Sequence, residues 1–188
     1  MKEIEVLVEV YSPIELVLNK LEQFEFFGVH EVVDTYFYDS LRENLKPNEN
    51  MQIDECLRLR KKNDINTITY KKDKFEENGK WLYSDEYETK VENLEILTQI
   101  LEELGFKQLL IIDNTKRVYK YNNYEIVFEN VKNLGYFIEV EFCTDEDVDV
   151  KQRKKEIQSF INSLNLDTSE ELNMGKPEML IRKFDIKV

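Results

Sequence analysis

Met1-Lys2-Glu3-Ile4-Glu5-Val6-Leu7-Val8-Glu9-Val10 alternates in strict period two: Glu3, Glu5, Leu7 and Glu9 fall on one side of an extended chain, and Ile4, Val6, Val8 and Val10 on the other. Successive strand side chains point to opposite faces, so this stretch is a strand with one apolar and one largely acidic environment. The same period returns downstream. Residues 55–61 set Leu57 and Leu59 against Arg58 and Arg60, and residues 67–72 set Ile68 and Tyr70 against Thr67, Thr69 and Lys71. Residues 81–91 bring Ser84, Glu86 and Glu88 to one face. Residues 32–38 are rich in β-branched and aromatic side chains. Strands at 116–121 and 124–130 flank the tight-turn pair Asn122-Asn123, and Asn133-Leu134-Gly135 turns the chain before 136–142.

Helical signals separate these strands. Ser12-Pro13-Ile14-Glu15 reads as a capped start, with Leu16, Leu21 and Phe24 on the apolar side and Gly28 as the stop. A second helix is expected over about 93–104, closed by Gly105, and a third over 147–164. The tail 176–188 is ambiguous; 179–184 is readable as a last strand. Many alternating strands with few helices predict an α+β fold, an antiparallel barrel with helices packed on its outside.

The 188 residues fit one domain spanning 1–188, with no repeat and no linker-like tract. No apolar run approaches the roughly 20 residues that cross a bilayer, and the first residues lack a signal-peptide core. Cys56 and Cys143 have no metal-type spacing, which predicts reduced, buried cysteines in a cytoplasmic protein. With 26 Lys+Arg against 39 Asp+Glu the net charge is −13, which disfavours nucleic acid as a partner. An anionic small ligand stays compatible, because a basic cluster plus a metal can reverse the sign locally. The single histidine, His30, leaves little material for zinc sites or histidine-based triads.

The charged strand faces are of two kinds. Carboxylates occupy Glu3/Glu5/Glu9, Glu86/Glu88, Glu125/Glu129 and Glu139/Glu141; cations occupy Arg58/Arg60, Lys71 and Lys116. One reading is a wetted sheet face. The other follows from the strongly apolar opposite faces: if helices cover those on the outside of a closed barrel, the charged faces point inward. Buried ions without compensation cost several kcal/mol each, so such an interior holds water, metal and a counter-charged ligand. Paired glutamates suit a hard cation such as Mg²⁺ or Mn²⁺, and arginines and lysines suit phosphate oxygens. Together they describe a site for a metal-chelated polyphosphate.

In their order along the chain these segments resemble the CYTH family, the triphosphate tunnel metalloenzymes, which include class IV adenylyl cyclases, thiamine triphosphatases and inorganic triphosphatases. Glu3-Ile4-Glu5 is similar to the start of the family's ExExK strand, Asp34-Thr35-Tyr36-Phe37 to its D-x-Y-F segment, Leu57-Arg58-Leu59-Arg60 to L-R-x-R, Thr69-Tyr70-Lys71 to the Y-K strand and Glu86-Tyr87-Glu88 to R-x-E-x-E. The run from Phe128 through Glu141 resembles the D-x-V-x-x-L-G-x-F-x-E-x-E element of the cyclase-like branch. The resemblance implies a closed eight-stranded tunnel. It implies Glu3, Glu5 and Glu139 as metal ligands with Glu129 and Glu141 nearby, and Arg58, Arg60, Lys71 and Lys116 on phosphate. Glu86 and Glu88 would be further acidic tunnel positions.

Departures from the pattern are several. The motif lysine is Leu7, Glu9 stands where a basic residue is common, and Ser84 replaces an arginine. Asn114-Thr115-Lys116 stands for a K-x-R pair, with Arg117 available through a register shift, and Glu129 replaces an aspartate. The tail lacks the branch's S-Y-x-x-L-L ending, and Arg182 is a candidate replacement cation. Tyr36, Tyr70, Tyr119, His30, Trp81 and both cysteines are read as structural. The resulting expectation is a metal-dependent enzyme on a small-molecule triphosphate, read first as a phosphohydrolase. The alternatives are an adenylyl cyclase making cyclic AMP from ATP, and a non-catalytic triphosphate or polyphosphate binder. No membrane partner is expected, and a homodimer is left open.

Overall fold

In a computed structural model that describes residues 1–188, the N-terminal alternation forms β1 (Lys2–Glu9), followed by α1 (Ile14–Leu21), β2 (Glu25–Asp39), β3 (Glu55–Lys62), β4 (Ile65–Phe75), β5 (Trp81–Lys90), α2 (Leu94–Glu103), β6 (Phe106–Tyr121), β7 (Tyr124–Val131), β8 (Gly135–Thr144), α3 (Val150–Ser163) and α4 (Lys176–Phe184). The strands close in the order β1-β5-β4-β3-β2-β6-β7-β8, each antiparallel to its neighbours. The fold is therefore α+β, a closed eight-stranded antiparallel barrel, and closure removes both sheet edges. The weakest seam is β1–β5, where the register pairs only Lys2 with Asp85 and Glu3 with Ser84.

Apolar strand faces turn outward under helices. Ile4, Val6 and Val8 pack in one cluster with Val17 and Leu21 of α1 and Ile157 and Ile161 of α3. Phe37, Leu57 and Leu59 do the same with Leu101 and Leu97 of α2. A third cluster fills one end of the barrel lumen: Leu7, Tyr36, Ile112 and Phe137 join Leu180 and Ile181 of α4. That helix stoppers the end, and the polar part of the interior lies beyond it. No helix is long and apolar enough to cross a membrane.

Several expectations change. The first helix ends at Leu21 rather than Gly28. Gly28, at φ 126°, lies inside β2 at a register shift, where positive φ makes a bulge in the strand and not a helix cap. β2 starts at Glu25 and β6 at Phe106, both earlier than the periodicity indicated, because the extra residues of each strand pair with the expected part of the other along the longest ladder of the barrel. Residues 179–184 are helical. Pro177, Leu180, Ile181 and Phe184 fall at helical spacing, Pro177 suits the first turn, and Asp185 ends the helix in the left-handed region. The second helix keeps its expected ends: the Asn93 side chain accepts from the Ile96 N–H at 3.0 Å, and Gly105 has φ 93°. Neither free cysteine is fully buried: Cys56 is half-buried and packs against the third cluster, Cys143 is exposed, and both line the lumen.

Candidate active site

Alternation along the closed strands puts the charged faces around one interior cavity of about 830 Å³. Its acidic wall comes from three adjacent strands, β8, β1 and β5. Carboxylate oxygens of Glu3, Glu5 and Glu141 lie within 4.8 Å of one another, with Glu86 and Glu139 alongside. Burial pushes these acids up, and the partner each finds decides the outcome. Glu3 is held well below the usual carboxylate range, because Lys71 outweighs its burial. Lys176 does the same for Glu139. Glu5 stays well above that range through burial and the charges of Glu139 and Glu3. Glu141 is raised by burial and by Glu139, and Glu86 rises to about 8 through burial and its hydrogen bond with Glu3.

The basic wall belongs to β3, β4 and β6. Arg60 forks onto Asp34, Nε to Oδ1 at 2.7 Å and Nη2 to Oδ2 at 2.8 Å. Burial raises Asp34, but the Arg60 guanidinium wins and brings it to about 2. Arg58 Nη2 donates to Thr69 Oγ1 at 3.2 Å and to Glu86 at 3.4 Å, while its buried Nε has no acceptor. Lys71 Nζ donates to Glu3 at 2.9 Å and lies 3.6 Å from Glu5. Lys116 Nζ is 3.6 Å from Glu129.

Ten carboxylates and seven lysines and arginines line the cavity, a formal surplus of three negative charges. Burial first, and neighbouring carboxylates second, raise the proton affinities of Glu5, Glu86 and Glu141 above the ordinary carboxylate range. Three carboxylates converging within 4.8 Å, two of them with proton affinities raised by burial and by neighbouring carboxylates, form a donor set that fits a hard divalent cation.

The remaining sequence-selected residues lie as follows. Glu129 has no exposed surface; its Oε2 accepts from Asn114 at 2.8 Å, and it pairs with Lys116 and Lys176. Glu88 lines the cavity and accepts from Thr67 and Thr69 at 3.3 and 2.9 Å. Arg117 is not among the lining residues: one position from Lys116, it is on the outer face of β6 and hydrogen-bonds with Tyr119 of the outer core. Arg182 is outside too, donating to the Asn50 carbonyl at 3.1 Å. The Ser84 hydroxyl donates to Asp73 at 2.6 Å. Trp81 lines the cavity, with its ring centroid 5.5 Å from Lys71 Nζ and 5.2 Å from Lys154 Nζ.

The cation that the tail does bring into the cavity is Lys176. Its ammonium pairs with both Glu129 and Glu139. Burial lowers its proton affinity, but Glu129 and Glu139 outweigh this and hold it charged. Sequence reasoning missed this residue, because nothing local in Gly175-Lys176-Pro177 shows that the helix it starts seats in the lumen.

Eight antiparallel strands closed around facing carboxylate and cationic walls define a class of charged-interior barrels. The CYTH-domain profile matches residues 1–173, and the chain belongs to the CYTH family, whose members bind and act on triphosphates and depend on metal. It is similar to a protein of Methanocaldococcus jannaschii named "Putative adenylate cyclase MJ0240", 26% identical over 159 residues that cover 85% of this chain and 89% of that one. Among solved structures it is similar to the PH1012 protein of Pyrococcus horikoshii OT3 (27% identity, TM-score 0.72, covering 91% of this chain and 96% of that one). The fold is also that of HpAC1 from Hippeastrum (16% identity, TM-score 0.64, covering 100% and 98%).

Proposed function

We propose that this protein is a metal-dependent triphosphate phosphohydrolase. The observation that carries the reading is the presence of two sets of charges in one cavity: Glu3, Glu5 and Glu141 within 4.8 Å of one another, and Arg58, Arg60, Lys71 and Lys116 lining the same space. Glu3, Glu5 and Glu141 would hold a Mg²⁺ or Mn²⁺ ion, with Glu139 adjoining through its hydrogen bond to Glu141. A bound ion supplies charge neutralisation and polarisation of a phosphoryl oxygen. Arg58, Arg60 and Lys71 bind and orient phosphate oxygens, Asp34 fixes the plane of the Arg60 guanidinium, and Lys116 adds charge from the far strand. Because the lining has no excess of positive charge, a loaded cation would supply the attraction that draws a triphosphate in.

Hydrolysis is the primary reading because water is always present, whereas cyclisation needs a ribose hydroxyl held in line with the α-phosphate. The fold relative HpAC1 is described as having "a dominant triphophatase activity". The name of the Methanocaldococcus relative favours the second reading, an adenylyl cyclase acting on ATP. A panel of ATP, thiamine triphosphate and inorganic tripolyphosphate with Mg²⁺ or Mn²⁺ separates them. Orthophosphate release without cyclic AMP is expected. Cyclic AMP and pyrophosphate from ATP would establish the cyclase, and tight binding without turnover of any substrate would leave a non-catalytic binder.

A further inference from the structure

We infer that Phe27, at the open mouth of the barrel, is a stacking platform for the aromatic base of a nucleoside triphosphate whose phosphates lie in the cavity. The inference rests on the triphosphate reading above and assigns the part of the substrate which that reading leaves open.

Substrate must extend toward the end that α4 leaves open. The helix stoppers the end built by Leu7, Tyr36 and Ile112, and strand direction places Lys62, Lys116 and Glu125 at the opposite one. The rings along the cavity do not serve a base there: Tyr36 and Trp81 are buried, and Phe75 pairs with Trp81 toward the stoppered end. Beyond Val32, which pairs with Lys62, β2 loses β3 as a neighbour and runs back to Glu25 on β6 alone. Residues 25–30 are thus an edge of the open rim.

A bulge in that edge turns Phe27 inward. Asp34 and Tyr36 line the cavity, so Val29, Glu31 and Val33 face out, and unbroken alternation would send Phe27 out with them. The ladder instead skips Phe27: Phe26 pairs with Tyr119, and Gly28 with Val118. Phe26 takes the outer face, its ring 5.1 Å from that of Tyr119 in the outer core. Phe27 takes the inner one, its ring 4.7 Å from Nζ of Lys120, which shares a strand face with the cavity residue Lys116. Bulges re-aim side chains in this way, and this one calls for glycine, since φ at Gly28 is 126°. The Phe27 ring stays 46% exposed. Beside it the His30 ring lies within 3.6 Å of where a Cβ on Gly28 would stand, and its Nδ1 accepts from the Asn63 amide at 3.0 Å.

The platform is within reach of the metal cluster. Lys120 pairs across the ladder with Glu125, and Glu125 with Glu141. Three strand spacings separate Phe27 from Glu141, roughly 14 Å at about 4.8 Å each, a span that an extended nucleoside triphosphate covers. An exposed flat ring stacks a planar heterocycle, and inorganic tripolyphosphate has nothing to place on it.

The opposing view is that Phe27 only packs on Lys120. Comparing two substrates separates the two. Turnover of ATP and of inorganic tripolyphosphate with Mg²⁺ is followed on the full chain, with folding checked by circular dichroism; tripolyphosphate that is not turned over is read by its Ki against ATP. Phe27→Ala should raise KM for ATP about 5- to 10-fold, the lower range for a base on an aromatic ring, with kcat nearly unchanged. The KM or Ki of tripolyphosphate should stay at its wild-type value. Phe27→Trp should keep the wild-type KM for ATP, and Phe26→Ala, on the outer face, should alter neither substrate. An unchanged KM for ATP in Phe27→Ala, equal losses for both substrates, or a wild-type protein that turns over tripolyphosphate and not ATP would overturn the inference. If Phe27→Ala does not fold, Phe27→Leu, which keeps apolar bulk without a π face, carries the same comparison. Wild-type protein that turns over neither substrate would instead remove the triphosphate reading.

Discussion

Replacing Asp34 with asparagine removes the charge of one carboxylate and leaves its shape. Asp34 is 2% exposed, and both its oxygens accept from Arg60, at 2.7 and 2.8 Å. Its proton affinity falls from the ordinary 3.8 to about 2, with burial opposing the change and the Arg60 guanidinium driving it. At roughly 1.4 kcal/mol for each tenfold change, the ionised carboxylate contributes about 2 kcal/mol. Stranding Arg60, whose salt bridge is to Asp34, adds to the loss, since breaking a buried pair costs about 3–5 kcal/mol in full burial and the Arg60 side chain keeps 21% of its exposure. Asp34→Asn should therefore lose about 2–4 kcal/mol at pH 7, or about 5–15 °C in Tm for a chain of this size. A carboxylate whose folded proton affinity is depressed stabilises above its unfolded value and loses that contribution as pH falls through the folded one. The gap between wild type and variant should thus be full above pH 5 and shrink between pH 4 and pH 2. Urea unfolding at pH 7, 4 and 2.5 measures it. Equal midpoints at pH 7, or a gap undiminished at pH 2.5, would refute the reasoning.

Two further outcomes concern the acidic wall. Saturating Mn²⁺ or Mg²⁺, at about 100 times its dissociation constant, should stabilise the protein by about 2.7 kcal/mol, about 5–10 °C in Tm. Glu5→Gln should abolish that rise, and an unchanged rise would remove Glu5 from the ligand set. The rise should also be larger at pH 8 than at pH 6. Glu5, Glu141 and Glu86 have folded proton affinities above their unfolded values, so the metal-free protein loses their contribution as pH climbs toward the value of about 8 at Glu86. A bound cation reverses that loss by displacing the protons. Metal-induced shifts of equal size at both pH values, followed by differential scanning fluorimetry, would contradict this.

Period-two alternation in β1, β3, β4 and β5 was enough to assign strands and to sort Glu3, Glu5, Arg58, Arg60, Lys71, Glu86 and Glu88 onto common faces. A strand's side-chain direction is local, set by two dihedral angles per residue. The capping of α2 by Asn93 and Gly105 was legible for the same reason. The 176–184 segment was not. Its apolar residues fit a short strand or a short helix, and the seat formed by Leu7, Tyr36 and Phe137 from three separate strands selects the helix.

What the sequence by itself determined is therefore the local alternation and, through the ordered motifs, the family. Only the closed tertiary structure decided that the charged faces look inward, since inside and outside of a sheet are defined by closure and by which face helices cover. Closure likewise decided that Lys116 lines the cavity while Arg117, one residue on, is on the outer face. It also placed Lys176 rather than Arg182 beside Glu129 and Glu139. Those pairings join residues 37 to 47 positions apart, and electrostatic energy depends on distance in space, which no local pattern encodes.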